Sequence, residues 1–233
     1  MAITAQNVAV PIGLKTGSPS KRQSWSTFLL GLSQFVTWPF LFIFFYSRYN
    51  LRTSGIENLK KVQRPFMIVA NHIHPLDSFL FRIALGFRTP HLPLRFMAVR
   101  RFAHQWLNFL AEIGFIDFLY GLFGVFTVVP GQGLQKNLLE AKRLVKEGNN
   151  IVIYPEGRLN DTGKLFPFKP GAGVLATETG ITVVPISFRL SKQDGLLRKE
   201  LFVNVGEPIS NTRSMTADQA TDLFFTTLSG LYM

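Results

Sequence analysis

Short, uninterrupted apolar runs punctuate this chain. Phe66-Met67-Ile68-Val69-Ala70 lies between Pro65 and Asn71, and Ile151-Val152-Ile153-Tyr154 and Thr182–Phe188 repeat the pattern. Such runs predict strands buried on both faces of a sheet. Leu51–Ser54, Arg95–Val99, Val125–Val129 and Leu201–Val205 are further strand candidates. Between them the period changes. Leu134, Leu138, Leu139, Ala141, Leu144 and Val145 recur on one helical face, and Gly148 ends that helix. Asp77 or Ser78 is placed to cap a helix through Phe79–Phe87, and Pro170-Gly171 opens a short one. The very apolar stretch Phe102–Val129 reads as helix and then strand. Strands alternating with helices over residues 51–233 predict an α/β domain with a mixed, mostly parallel sheet flanked by helices. No internal repeat and no second domain boundary is evident.

Ahead of this domain the pattern differs. Residues 1–22 read as a loose tail containing Pro11, Gly13, Gly17 and Pro19. From Gln23 to Ser47 the only ionisable side chain is Tyr46, and Trp38–Tyr46 is densely aromatic. Residues 23–50 are therefore expected to form an apolar, helical, membrane-associated segment. A helix of about 20 residues would cross a bilayer core. Pro39 would kink it, Ser33, Gln34 and Thr37 dilute it, and cations flank both ends (Lys21 and Arg22, Arg48 and Arg52), so charge gives no clear orientation. A pair of helices lying in one leaflet, anchored by Trp25, Trp38 and Tyr46, suits the flanks equally. A buried core helix is the plainer alternative.

Composition sharpens the membrane reading. Of 233 residues 47% are hydrophobic and only 17% charged, with 23 Phe and no Cys. The absence of cysteine excludes disulfide frameworks, Cys-ligated zinc and thiol nucleophiles. The net charge of +11 is one-sided: residues 1–111 hold 13 Lys and Arg against Glu57 and Asp77, whereas residues 112–233 hold 12 of each sign. A basic half suits nucleic acid, an anionic membrane or a phosphorylated substrate. Nucleic-acid binding would interleave aromatics with the cations. Here the aromatics form their own uncharged run, which favours anionic lipid.

Two constellations could carry chemistry. Asn71-His72-Ile73-His74-Pro75-Leu76-Asp77 follows directly on a buried strand, and strand C-termini are where α/β sheets bind ligands. With Pro75 turning the chain, the Asp77 carboxylate can reach one nitrogen of His72, which frees the other to accept a proton from a hydroxyl. The plainer reading makes Asp77 a helix cap and His72 a turn residue. A metal site of His72, His74 and Asp77 lacks a further cluster to complete it. The second constellation, Tyr154-Pro155-Glu156-Gly157-Arg158-Leu159-Asn160, also ends an apolar strand. Arg158 and the backbone N–H groups near Gly171-Ala172-Gly173 form a plausible phosphate cradle, and a solvated hairpin is the alternative. Gly171–Ala176 matches a dinucleotide fingerprint on paper, but Phe166–Pro170 separates it from the preceding strand. There is no nucleophile-elbow Ser and no Walker-type loop.

Together these residues resemble the glycerolipid acyltransferase family, typified by bacterial lysophosphatidate acyltransferase, over about Phe66 to Ile209. His72 and Asp77 stand as the family's His–Asp motif with four residues between. Pro155-Glu156-Gly157-Arg158 resembles its third motif, without the usual Thr before the Arg. Val183-Val184-Pro185-Ile186 resembles its fourth, and Phe168–Ala176 the segment between these two. The second motif departs: Pro130 stands where the family has an arginine for the acceptor phosphate, after Gly124–Val129. Phosphate binding then falls to Arg158, with Arg100 or Arg101, or the acceptor is not a phosphomonoester.

The resemblance implies direct transfer of a fatty acyl group from an acyl carrier protein or coenzyme A thioester to a lipid hydroxyl. Lysophosphatidate would give phosphatidate; another lysophospholipid or lipid alcohol is the alternative acceptor. His72 and Asp77 would be catalytic, and Glu156, Gly157, Arg158 and Arg100 would bind substrate. No metal or redox cofactor is implied. The catalytic domain would lie on the cytoplasmic face of a membrane. The rivals are a non-catalytic lipid-binding protein of the same fold and a metal-dependent hydrolase.

Overall fold

A computed structural model describes residues 21–74, 77–84, 91, 93–99, 105–129, 131–160, 162–191 and 198–232. Arg100, Pro130 and Pro75 lie outside the described residues, as does the expected tail apart from Lys21 and Arg22. Eight α-helices and seven strands are described. In chain order they are α1 (Lys21–Val36), α2 (Trp38–Arg48), β1 (Tyr49–Ser54), β2 (Phe66–Ala70), α3 (Asp77–Ala84), β3 (Leu94–Val99), α4 (Gln105–Glu112), α5 (Phe115–Phe123), β4 (Val125–Val128), α6 (Leu134–Lys146), β5 (Asn150–Ile153), α7 (Gly171–Thr179), β6 (Thr182–Leu190), β7 (Lys199–Val205) and α8 (Ala217–Tyr232).

The strands form one mixed sheet in the order β1-β7-β6-β2-β5-β3-β4. Every neighbouring pair is parallel except β6–β7. The expected α/β architecture is thus present, and β2, the most apolar run, sits at its centre. Both faces of β2 are covered. Phe66, Ile68 and Ala70 join a core that includes Phe45 of α2 and Leu80 and Phe81 of α3. Met67 and Val69 join a second core built on α6, α7 and α8. Two-sided burial is why β2, β5 and β6 read as continuous apolar runs rather than alternating ones.

Two buried asparagines finish β2 at its ends. The Asn150 side chain accepts from Phe66 N and donates to His91 O. At the other end Asn71 donates to Phe188 O and accepts from Phe188 N, both at 2.7 Å, so its side chain continues the β2–β6 ladder one step past the strand. The backbone carrying His72 is thereby held against β6. His91, beside Phe66, lies at the opposite end of β2 from His72.

Three regions differ from expectation. Phe102–Val129 holds two helices before its strand, because Gly114 adopts φ 76° and turns the chain between α4 and α5. The C-terminal helix α8 has no counterpart among the expected elements; Ala220 and Phe224 seal it on the second core, and Leu228 is fully buried. The third is residues 23–50. Among the described residues no single helix is long and apolar enough to cross a bilayer. α1 and α2 meet that test only as a pair, bent by 42°. Pro39, in the first turn of α2, has no N–H to continue the α1 ladder. The polar residues of α1 have a use within the protein. Buried Gln34 donates to Leu94 O at 3.0 Å and accepts from Leu94 N, while Ser33 donates to Leu122 O. α1 is therefore docked on α5 and β3.

Gly173 resolves the apparent dinucleotide fingerprint. A Cβ there would strike Thr221 Oγ1 and Ala217 O, so the glycine lets α8 close on α7. Gly173→Val should lower stability by about 3 kcal/mol through overpacking against backbone that cannot yield. Urea unfolding of the two proteins, with midpoints compared at equal m-value, checks this.

Candidate active site

β2 and β5 are parallel neighbours, so their C-termini open side by side. The His72 segment leaves one and the Glu156 segment leaves the other. Asp77 is fully buried at the start of α3, and its Oδ2 accepts three hydrogen bonds, from Ile73 N at 2.6 Å, His74 N at 2.9 Å and His72 Nδ1 at 3.0 Å. Its Oδ1 has no partner among the described residues. The turn cap and the partner of the imidazole, alternatives in sequence, are thus one group: Asp77 ties the turn with two backbone bonds and holds the imidazole with the third. A carboxylate only accepts, so His72 Nδ1 carries the proton and Nε2 is left with its lone pair. No partner to Nε2 occurs among the described residues, and the His72 side chain is 22% exposed.

A third element fixes the ring plane. Tyr154 stacks on His72 with centroids 4.2 Å apart and 19° between planes. Burial, and then the nearby Asp77 charge, push the Tyr154 hydroxyl well above its ordinary pKa, against a weaker opposing effect of its bond to Ser78. Tyr154 thus stays neutral, a rigid platform without charge beside the imidazole. His74 goes elsewhere: with Ile73 it lines a small apolar cleft walled by Phe45, Tyr49, Leu80 and Leu190. Among the described residues no three His, Asp or Glu side chains gather as metal ligands.

Glu156 is buried, 3% exposed, and faces inward. One carboxylate oxygen accepts from His72 N at 3.3 Å; the other accepts from Phe166 N at 2.9 Å and from the Asn160 side-chain amide. Asn160 N in turn donates to His72 O at 2.7 Å. Both backbone groups of His72 are therefore tied to a loop 84 and more residues away in sequence. Within this structure Glu156 is an organiser of the loop, and Asn160, which sequence reasoning did not single out, is its counterpart. The signal available for Asn160 was its position at the end of the motif, four residues after Glu156. Removing the organiser should be costly: Glu156→Ala strands three donors and should lower stability by about 3 kcal/mol, roughly 10 °C in melting temperature. Differential scanning calorimetry on the purified protein measures that loss.

Gly157 adopts φ 65°, a left-handed turn that suits glycine, and the Lys169 side chain crosses directly over it. Arg158 is exposed, with its guanidinium 3.8 Å above the centroid of the Phe166 ring. Neither cation has an acidic partner among the described residues. Stacking leaves the N–H edge of Arg158 available to an anion. The loop that positions His72 thus presents two positive side chains outward.

The chain is thus an α/β domain with an imidazole held by a carboxylate at the end of its central strand. The family model described as Acyltransferase matches residues 50–189, more than half of the chain, and the chain belongs to that family. It is 32% identical over 179 residues to human 1-acyl-sn-glycerol-3-phosphate acyltransferase beta, covering 73% of this chain and 60% of that protein. A chloroplastic 1-acyl-sn-glycerol-3-phosphate acyltransferase of Brassica napus is 29% identical over 149 residues, 61% of this chain and 38% of its own length. This chain therefore spans less than two thirds of either relative. The crystal structure of the 1-acyl-sn-glycerophosphate acyltransferase PlsC from Thermotoga maritima superposes with a TM-score of 0.62 at 19% identity, covering 91% of this chain and 82% of that one, so the fold is shared.

Proposed function

We propose that this protein transfers a fatty acyl group from an acyl carrier protein or coenzyme A thioester to the free hydroxyl of lysophosphatidate, yielding phosphatidate, at the cytoplasmic face of a membrane. The observation that carries the reading is the His72–Asp77 pair, locked with Nε2 open at the end of β2. His72 Nε2 takes the acceptor proton as the hydroxyl oxygen bonds to the thioester carbonyl carbon. Asp77 stabilises the imidazolium that forms. Collapse of the tetrahedral intermediate breaks the C–S bond, and the leaving thiolate takes the proton from His72. No acyl-enzyme intermediate is needed. Arg158, with Lys169 behind it, holds the acceptor's phosphate, and Arg100 is the further candidate. α1 and α2 bring the site to the lipid surface: Phe40 is 73% and Ile43 67% exposed.

Pro130 favours a second reading, in which the acceptor lacks a phosphomonoester. Both are tested by mass-spectrometric assay of detergent-solubilised protein, with each thioester offered against lysophosphatidate, glycerol 3-phosphate, other lysophospholipids and neutral lipid alcohols. Phosphatidate as the main product supports the first reading, and transfer confined to the other acceptors supports the second. No transfer from any pair would count against catalysis and for a lipid-binding protein.

A further inference from the structure

Resting on the reading that α1 and α2 lie in a bilayer, we propose that the α4–α5 hairpin is a second membrane element, a shallow wedge that enters the same leaflet beside α1. The hairpin is apolar where a soluble surface would be polar. Phe109 is 59%, Ile113 60% and Phe118 64% exposed, and Phe115 adds a fourth large apolar side chain. Ile113, the first residue past α4, stands one turn on from Phe109 and donates to its carbonyl. Gly114, between the two helices, is exposed, and an added Cβ there would meet nothing within 4 Å.

Its surroundings identify the occupant. The hairpin lies against α1, where Ser33 and Gln34 fasten α1 to Leu122 O and Phe123 O at the end of α5. Phe28, Leu29 and Leu32 of α1 are exposed as well. In the reading this rests on, lipid covers the exposed apolar side chains of α1, and α5 packs directly against α1, so the same lipid covers Phe118 and its neighbours. Residues 105–123 contain no Lys or Arg, and their only acids are Glu112 and Asp117. On an ideal helix Asp117 lies about 100° from Phe118, and Glu112 stands at the edge of the strip formed by Phe109 and Ile113. The two carboxylates therefore flank the apolar face and limit its depth to the headgroup boundary, about 5–10 Å into the leaflet.

The chain has no cysteine, so single labels can be placed without further changes. Phe118→Cys, Ile43→Cys and, as a control on the exposed side of α6, Lys136→Cys would each carry a nitroxide, with vesicles of equal parts phosphatidylcholine and phosphatidylglycerol. The proposal expects vesicles to cut collision of the labels at 118 and 43 with a nickel chelate about tenfold while oxygen collision persists, and to leave 136 unchanged. A label at 118 that stays open to nickel while 43 is shielded overturns the wedge and leaves the α1–α2 reading standing. Both labels open to nickel overturn the two together. Dipolar broadening between labels at 118 on different molecules assigns the hairpin to a second copy and likewise overturns the proposal. An unlabelled Phe109→Ser, Phe118→Ser protein should float with these vesicles about tenfold less well at unchanged circular dichroism; undiminished flotation counts against the wedge.

Discussion

His72→Ala protein should lose acyl transfer by about a thousandfold or more in kcat, with little change in KM for either substrate. In the proposed mechanism the imidazole acts on the proton as the new C–O bond forms, so its contribution would be realised in the transition state rather than in binding. Folding should survive. The His72 side chain is partly exposed, its Nδ1 takes only one of the three bonds to Asp77 Oδ2, and the backbone groups that Glu156 and Asn160 hold belong to any residue at this position. Steady-state kinetics with lysophosphatidate and an acyl thioester, beside a thermal melt of the same preparation, tests this. Activity within tenfold of the parent would remove His72 from the mechanism and leave the family fold serving another purpose.

Asp77→Asn is the second large effect and separates two duties of one side chain. Among the described residues Oδ2 receives all three donors and Oδ1 none, so an asparagine can place its oxygen where the donors converge and its amide at the other position. The turn and the imidazole tautomer are then retained. What is lost is the negative charge facing the imidazolium, and kcat should fall by about a hundredfold to a thousandfold. The buried amide lacks an acceptor and should lower stability by about 1–3 kcal/mol. Asp77→Ala removes the turn bonds too and should fall further in both measurements. Equal kinetics for the Asn and Ala variants would show that Asp77 serves the turn alone.

The tethered motif explains why these effects belong together. His72 is held through its ring by Asp77 and Tyr154, and through its backbone by Glu156 and Asn160. Glu156→Ala should thus reduce activity as well as stability, because the loop that leaves β5 is the wall against which the catalytic backbone rests.

Much of this was legible from local pattern. The two-sided burial of β2, β5 and β6 appears directly as apolar runs, and the amphipathic period of α6 appears as a stripe, because both are properties of consecutive residues. The His–Asp spacing is local too: five positions suffice for a carboxylate to cap a turn and reach the ring. Other features depend on partners far along the chain. Ser33 and Gln34 read as dilution of a membrane helix, whereas the carbonyls they satisfy lie at Leu94, Leu122 and Phe123. Glu156 reads as a ligand for substrate, and only the fold shows that its carboxylate also accepts from His72 N, Phe166 N and Asn160. Gly171–Ala176 matches a dinucleotide fingerprint only on paper, and the use of Gly173, letting α8 close on α7, depends on residues more than 40 positions away. By itself the sequence determined which segments must be buried, how charge divides between its halves and which groups can exchange a proton. Tertiary structure alone decided which polar atoms those groups meet, because a hydrogen bond between distant residues depends on where the sheet brings them and not on the spacing between them.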